Sequence, residues 1–196
     1  MTTILQQLGI VLAPSMKALA TTSPSTPTAS SSHMASLMVD DGCIQVFLDG
    51  SALGNGKAYA KAGYAAVFVD HPELTLSEHM PYINGHAPTN NRAEYMALIR
   101  ALEVAPAGVP MKAYTDSMLL YNTITTWIPA WKRKGWRKAD GSPVMNIDLV
   151  QKLDILKTQR KLTMQHVMAH TGKKDFLSVW NDKADQLAKA AAASYK

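Results

Sequence analysis

Ile44-Gln45-Val46-Phe47-Leu48-Asp49-Gly50-Ser51 is an apolar run that stops on a carboxylate. β-Branched and aromatic residues sit together, there is no proline, and the run closes on a Gly-Ser turn, which is the pattern of a buried strand. Asp49 is the residue out of place. A carboxylate at the end of a buried strand is costly unless it is paired or bound to a metal, so its partners must come from later segments.

The strand belongs to a chain of 196 residues, 47% hydrophobic and 18% charged, a size and composition that suit one domain with a sizeable core plus a tail. The single Cys43 lies inside this first strand and reads as a small buried residue. Neither disulfides nor a cysteine zinc site is expected, which favours an intracellular protein, cytoplasmic or nuclear. Formal net charge is +5, and the segment Trp131-Lys132-Arg133-Lys134-Gly135-Trp136-Arg137-Lys138 alone carries the positive charges of Lys132, Arg133, Lys134, Arg137 and Lys138. Such a run is usually a solvated loop. Two interleaved tryptophans, Trp131 and Trp136, turn the reading toward a nucleic-acid backbone, where cations meet phosphates and aromatic faces meet sugars or bases.

Residues 1–38 read as a tail: disordered, a targeting segment, or an artefact of cloning, the last suggested by Ser32-His33-Met34-Ala35-Ser36. Ile4 to Ala13 is apolar but too short to span a bilayer, so no membrane association is expected. The Ser/Thr/Pro-rich tract Thr21 to Ser32 cannot bury enough surface to offset ordering. Its acid-free composition leaves organellar import open.

The domain, residues 39–196, continues with strands at Ala62 to Val69 and Leu74 to Ser77, an antiparallel meander with the first. A helix from about Asn91 to Val104 follows, with Leu98, Ala101, Leu102 and Ala105 as its apolar stripe and Glu94 on the same face. A strand at Met111 to Thr115 ends on Asp116-Ser117, which alone would be a cap for a helix from Met118 to Trp127. Beyond the basic segment lie a helix from about Ile147 to Thr158, a strand from Leu162 to Met168, a loop from Thr171 to Trp180, and a final helix from about Asn181 to Ser194. Asp185 borders the buried side of that helix. The order describes an α/β fold, a mixed sheet with helices against it.

Four acids thus share one description: Asp49 and Asp116 at strand ends, Glu94 and Asp185 on inner helix faces. Carboxylates converging in a low-dielectric site repel unless cations neutralise them, and hard oxygen ligands suit Mg²⁺ or Mn²⁺.

Asp49-Gly50-Ser51, Thr89-Asn90-Asn91-Arg92-Ala93-Glu94, Tyr114-Thr115-Asp116-Ser117, the tryptophan-flanked basic segment, His170-Thr171-Gly172 and Asn181-Asp182-Lys183-Ala184-Asp185-Gln186-Leu187-Ala188 together resemble type 1 ribonuclease H, closest in texture to the eukaryotic catalytic domain, over roughly residues 42–194. The resemblance implies the ribonuclease H-like fold, a five-stranded mixed sheet flanked by helices, and an endoribonuclease that cuts the RNA strand of RNA/DNA hybrids, leaving 5′-phosphate and 3′-hydroxyl ends. It implies two Mg²⁺ ions, with Mn²⁺ as a substitute, on Asp49, Glu94, Asp116 and Asp185; Asp185 is chosen over Asp182 because the family's acid directly precedes the Gln-Leu-Ala run. His170 matches a mobile histidine that assists proton transfer or product departure.

Asn55, Asn90 and Asn91 match positions that contact the minor groove and RNA 2′-hydroxyls, an apt task for an amide that both donates and accepts. Trp127 and Trp131 match aromatics that pack on the DNA strand, and Thr89 and Asn146 match a DNA phosphate pocket. That pocket's usual arginine is missing where His86-Ala87-Pro88 stands, Leu119 replaces an aromatic, and the loop from Thr171 to Trp180 is longer than usual. A monomer is expected, without the separate hybrid-binding module that eukaryotic members often carry. The alternatives are another nuclease of the same fold and a hybrid-binding domain of a reverse transcriptase.

Overall fold

The computed structural model describes residues 42–194 except 58 and 84. The tail expected over residues 1–38 lies outside them. Five strands form one sheet in the order β3-β2-β1-β4-β5: β1 Ile44–Leu53, β2 Lys61–Phe68, β3 Leu76–Met80, β4 Met111–Thr115 and β5 Leu162–His166. β1 is antiparallel to β2, with Asp49 opposite Ala65, and parallel to β4, with Leu48 opposite Thr115. A parallel neighbour needs a long crossover, which α1, Asn90–Val104, provides.

β1 runs past its expected end, so Asp49 lies within the strand rather than at its terminus. Pairing with β2 continues through Gly50, Ser51, Ala52 and Leu53, which keeps the chain extended where the Gly-Ser pair suggested a turn. Three further boundaries move. Leu74 belongs to a 3₁₀ turn, Pro72–Leu74, before β3, because Pro72 starts a turn more readily than a strand. β5 stops at His166, two residues early. Cys43 is half-buried and precedes β1.

Successive side chains of β1 face opposite sides. Ile44, Val46 and Leu48 pack in the larger core with α1 and with α4, Ile147–Leu156, whereas Phe47 packs in a smaller core with Val67, Tyr114, Val167 and Ala184. Thr89 caps α1, its hydroxyl accepting from the Arg92 amide at 3.3 Å. The helix expected over Met118 to Trp127 is instead α2, Met118–Asn122, a wide π-helical turn, Thr123–Trp127, and α3, Ile128–Arg133. Pro129 explains the break, since it has no N–H for the carbonyl one turn earlier. The first three residues of the basic segment, Trp131, Lys132 and Arg133, are therefore helical rather than loop.

The largest departure is the last helix. α5 spans Phe176–Ala193, five residues earlier than expected, with Asp175 as its cap accepting from the Ser178 amide at 3.0 Å. The long loop is thus half helix, and its aromatics have a purpose. Phe47 stacks on Tyr114 with ring centroids 4.4 Å apart, and Phe176 and Trp180 close around Phe47 at 5.8 and 6.3 Å. Further along, α5 lies directly on β2 because both sides are small. A Cβ at Gly63 would fall 2.2 Å from the Ala192 amide nitrogen and 2.6 Å from the Ala188 carbonyl.

Gly63→Ala must push α5 off the sheet. Overpacking of this kind costs about 1–3 kcal/mol, and thermal unfolding should show a lower Tm; an unchanged Tm would contradict the packing described.

Candidate active site

Two backbone features bring the acids together. The parallel register that sets Leu48 beside Thr115 puts Asp49 and Asp116 at neighbouring positions just past it. Gly50 then admits α1: a Cβ there would lie 2.4 Å from the Glu94 amide nitrogen, so only a glycine allows helix and strand to approach this closely. As a result, carboxylate oxygens of Asp49, Glu94 and Asp116 lie within 4.8 Å of one another. Asp49 and Glu94 are 6% and 5% exposed, and the Glu94 Oε2 atom is buried without a hydrogen-bond partner among the described residues.

Burial pushes the Asp49 carboxyl up to about 8, and the charges of Asp116 and Asp185 add to that effect. Glu94 is raised well above the usual carboxylate range, by burial first and then by Asp49 and Asp116. A hydrogen bond from the Gly50 amide to each favours the charged forms but does not reverse either shift. Three crowded, underpaired carboxylates are a donor set that hard divalent cations fit.

Asp185 stands beside this group and not within it. Its Oδ2 accepts from the Lys189 Nζ at 2.8 Å, an i,i+4 pair on α5, and this bond holds the ammonium above its ordinary value. Asp116 is held by Asn181, whose amide donates to its Oδ2 at 2.9 Å from a site only 1% exposed. Ring nitrogen Nε2 of His166 lies 3.1 Å from the Asp116 carbonyl. Ser117, not Asp116, caps α2 by accepting from the Leu120 amide, so the acid is free of the capping task. Sequence reasoning named neither Asn181 nor Lys189 as site residues, although both stand four residues from Asp185 and so share its side of the helix. His170 is exposed, in the left-handed region with φ 47°, and its side chain makes no hydrogen bond to another described residue.

The candidate RNA contacts also converge. Asn55, in the turn after β1, accepts from the Asn90 amide at 3.1 Å, and exposed Asn91 follows on the first turn of α1. Asn146 and Thr89 meet through Arg92: the guanidinium donates to Asn146 at 3.3 Å and to both Asp148 oxygens at 2.9 and 2.6 Å, while the Arg92 amide donates to Thr89. Arg92 is 1% exposed and bidentate to Asp148, so it does not replace the arginine missing from this pocket.

Trp127 and Trp131 lie 5.6 Å apart, ring to ring, and line a groove of about 420 Å³ with Lys134, Arg137 and Lys138. Trp136 does not line it; it packs against the larger core. Lys132 is also turned away, its Nζ 2.8 Å from the buried Asp154 of α4. Arg137 donates to the Gly141 carbonyl and Lys138 lies 4.0 Å from Asp140, so Arg133 and Lys134 are the two cations of the segment with no ion pair or side-chain hydrogen bond among the described residues. No described helix is long and apolar enough to cross a membrane.

Comparison with known proteins agrees with this geometry. The family model described as RNase H matches residues 41–193. The "Ribonuclease H" of Photorhabdus laumondii is 40% identical over 152 residues, 77% of this chain and 89% of that protein, and that of Thiobacillus denitrificans is 37% identical over 147 residues, 74% and 90%. These relatives are bacterial; the finer likeness to the eukaryotic form rests on the motifs alone. Among solved structures, LC9-RNase H1, described as a type 1 RNase H with the type 2 active-site motif, superposes with a TM-score of 0.61 at 23% identity, over 81% of this chain and 75% of that one. A foamy viral protease-reverse transcriptase superposes at 0.64 with 18% identity, over 79% and 97%. At those identities the likeness is one of fold.

The raised Asp49 carboxyl has a testable sign. Unfolded, an aspartate titrates near 4; folded, Asp49 holds its proton to about 8. Its contribution to stability is therefore full below about pH 4 and is lost as pH rises toward 8. Asp116→Asn removes one repelling charge. In metal-free protein its unfolding free energy should match wild type near pH 4 and exceed it increasingly toward pH 8, by on the order of 2 kcal/mol; a variant less stable than wild type at pH 8 would contradict the crowding.

Proposed function

The chain belongs to the type 1 ribonuclease H family, and from that premise we propose how its residues cut the RNA strand of an RNA/DNA hybrid. Asp49, Glu94, Asp116 and Asp185 would hold two Mg²⁺ ions, with Mn²⁺ able to substitute. The observation that carries this reading is the group of three carboxylates within 4.8 Å, one oxygen of which is buried and unpartnered. Divalent cations there would supply Lewis acidity to the attacking water and charge neutralisation to the leaving oxygen, giving 5′-phosphate and 3′-hydroxyl ends.

The protein groups have separable tasks. Asn181 keeps Asp116 aimed at the cluster, and Lys189 holds Asp185 at its margin until a cation competes for it. His170, exposed on a left-handed turn, would move a proton or ease departure of the cut strand. Asn55 and Asn90, already hydrogen-bonded to each other, and Asn91 offer amides to RNA 2′-hydroxyls, which a DNA-only substrate would leave unused. Trp127 and Trp131 give the DNA strand an apolar wall, with Lys134 beside them for its phosphates. Thr89 and Asn146 supply a weaker phosphate pocket, since its arginine is absent. The protein would act as an intracellular monomer, consistent with a lone half-buried cysteine.

Asp116→Asn should abolish cleavage of a labelled hybrid in Mg²⁺ while the hybrid still binds in a mobility-shift assay. His170→Ala should slow turnover by about 10²-fold without ending it. Cleavage retained in the first variant would remove Asp116 from the metal ligands, and an unchanged rate in the second would make His170 a plain loop residue.

A further inference from the structure

A groove of about 450 Å³ opens between the loop after His170 and α5, lined by Gly172, Lys173, Lys174, Val179, Asp182, Lys183 and Gln186. It plays no part in the chemistry proposed for the carboxylates. Three lysines face one acid there, so the groove is cationic. It is also held in shape. The Thr171 and Ser178 hydroxyls meet at 2.6 Å, the Lys173 amide donates to Thr171 at 3.2 Å, and Asp175 takes both the amide and the hydroxyl of Ser178. Lys183 sits 4.7 Å over the ring of Trp180, which is itself packed against Phe47. The added first turn of α5 thus anchors a loop that would otherwise leave Lys173 and Lys174 unplaced.

Its location gives it a ligand. Asp182 stands one turn before Asp185 on α5, and Gly172 follows His170 by two residues, so the groove is built on the same helix and loop that carry Asp185 and His170. The tryptophan groove of α3 lies with the α1 and α4 core on the opposite face of the sheet. A duplex laid across the carboxylates with its DNA strand on the α3 side therefore carries its RNA strand toward α5.

We propose that Lys173, Lys174 and Lys183 form a second backbone site, which takes phosphates of the RNA strand flanking the cut. The inference rests on the function proposed above and extends it. Charge complementarity supports an RNA backbone over a base: the groove offers ammonium groups and no exposed aromatic face besides the ring that Lys183 covers. With it the hybrid is gripped from both sides of the metal site, and the two free cations of the α3 segment are not the sole anchors.

The test is a Lys173→Ala/Lys174→Ala/Lys183→Ala variant in the cleavage-defective Asp116→Asn background, with hybrid affinity measured against salt. Affinity should fall about tenfold, and the slope of log K against log salt should shrink by about 2, near one for each phosphate no longer neutralised. Arginine at the same three positions should restore both. Single neutral methylphosphonate linkages walked along each strand in turn should then weaken binding of the lysine protein at one or more RNA positions and leave the alanine variant indifferent at those positions. Unchanged affinity and slope, or sensitive linkages confined to the DNA strand, would overturn the proposal. Failure of the wild-type chain to cleave any hybrid would instead overturn the function on which it rests.

Discussion

Like charge held at short range in a dry place is the constraint on which this molecule turns. Asp49, Glu94 and Asp116 are forced together by two features that have nothing to do with charge: the parallel register of β1 with β4, and a glycine that lets α1 touch β1. The hydrophobic cores on both faces of the sheet then hold the arrangement against its own repulsion. Burial removes the solvent that would screen the carboxylates, which is why Asp49 and Glu94 cling to protons at a pH where acids are normally ionised. A fold that accepts this cost is one in which a cation belongs.

The residues around the cluster show how the charge is managed short of a metal. Asn181 gives Asp116 a neutral donor, Lys189 gives Asp185 a cationic one, and Gly50 lends its amide to Asp49 and Glu94. α5 supplies two of these partners and Asp185 as well, so the seating of that helix on Gly63 and around Phe47 is as much a part of the site as the acids. On the opposite face two charges meet opposite ones: Arg92 is bound by Asp148 and Lys132 by Asp154. Glu94 differs in that its charged neighbours, Asp49 and Asp116, carry its own sign, whereas Arg92 and Lys132 face acids.

Much of this was legible in the sequence. A lone acid in a buried run, an acid on an apolar helix stripe and an acid closing a second strand are local patterns, and each pointed to the same cluster. Element types followed from periodicity, and the family resemblance correctly supplied the five-stranded sheet. What stayed hidden depended on contacts between distant segments. That β1 continues past Asp49 is decided by pairing with β2, and the early start of α5 is decided by where Phe176 and Trp180 find Phe47. The π-helical turn could have been suspected from Pro129, but the withdrawal of Trp136 and Lys132 from the basic surface could not, since it depends on the larger core and on Asp154.

If cations are what these carboxylates await, their arrival must drive off the protons that burial and crowding retain. Isothermal titration of Mg²⁺ into the protein at pH 7, repeated in buffers of different ionisation enthalpy, measures that exchange directly. The account predicts release of at least about one proton per protein on binding, with less released in Asp116→Asn. Mg²⁺ binding with no proton release, or no binding at millimolar Mg²⁺, would contradict it.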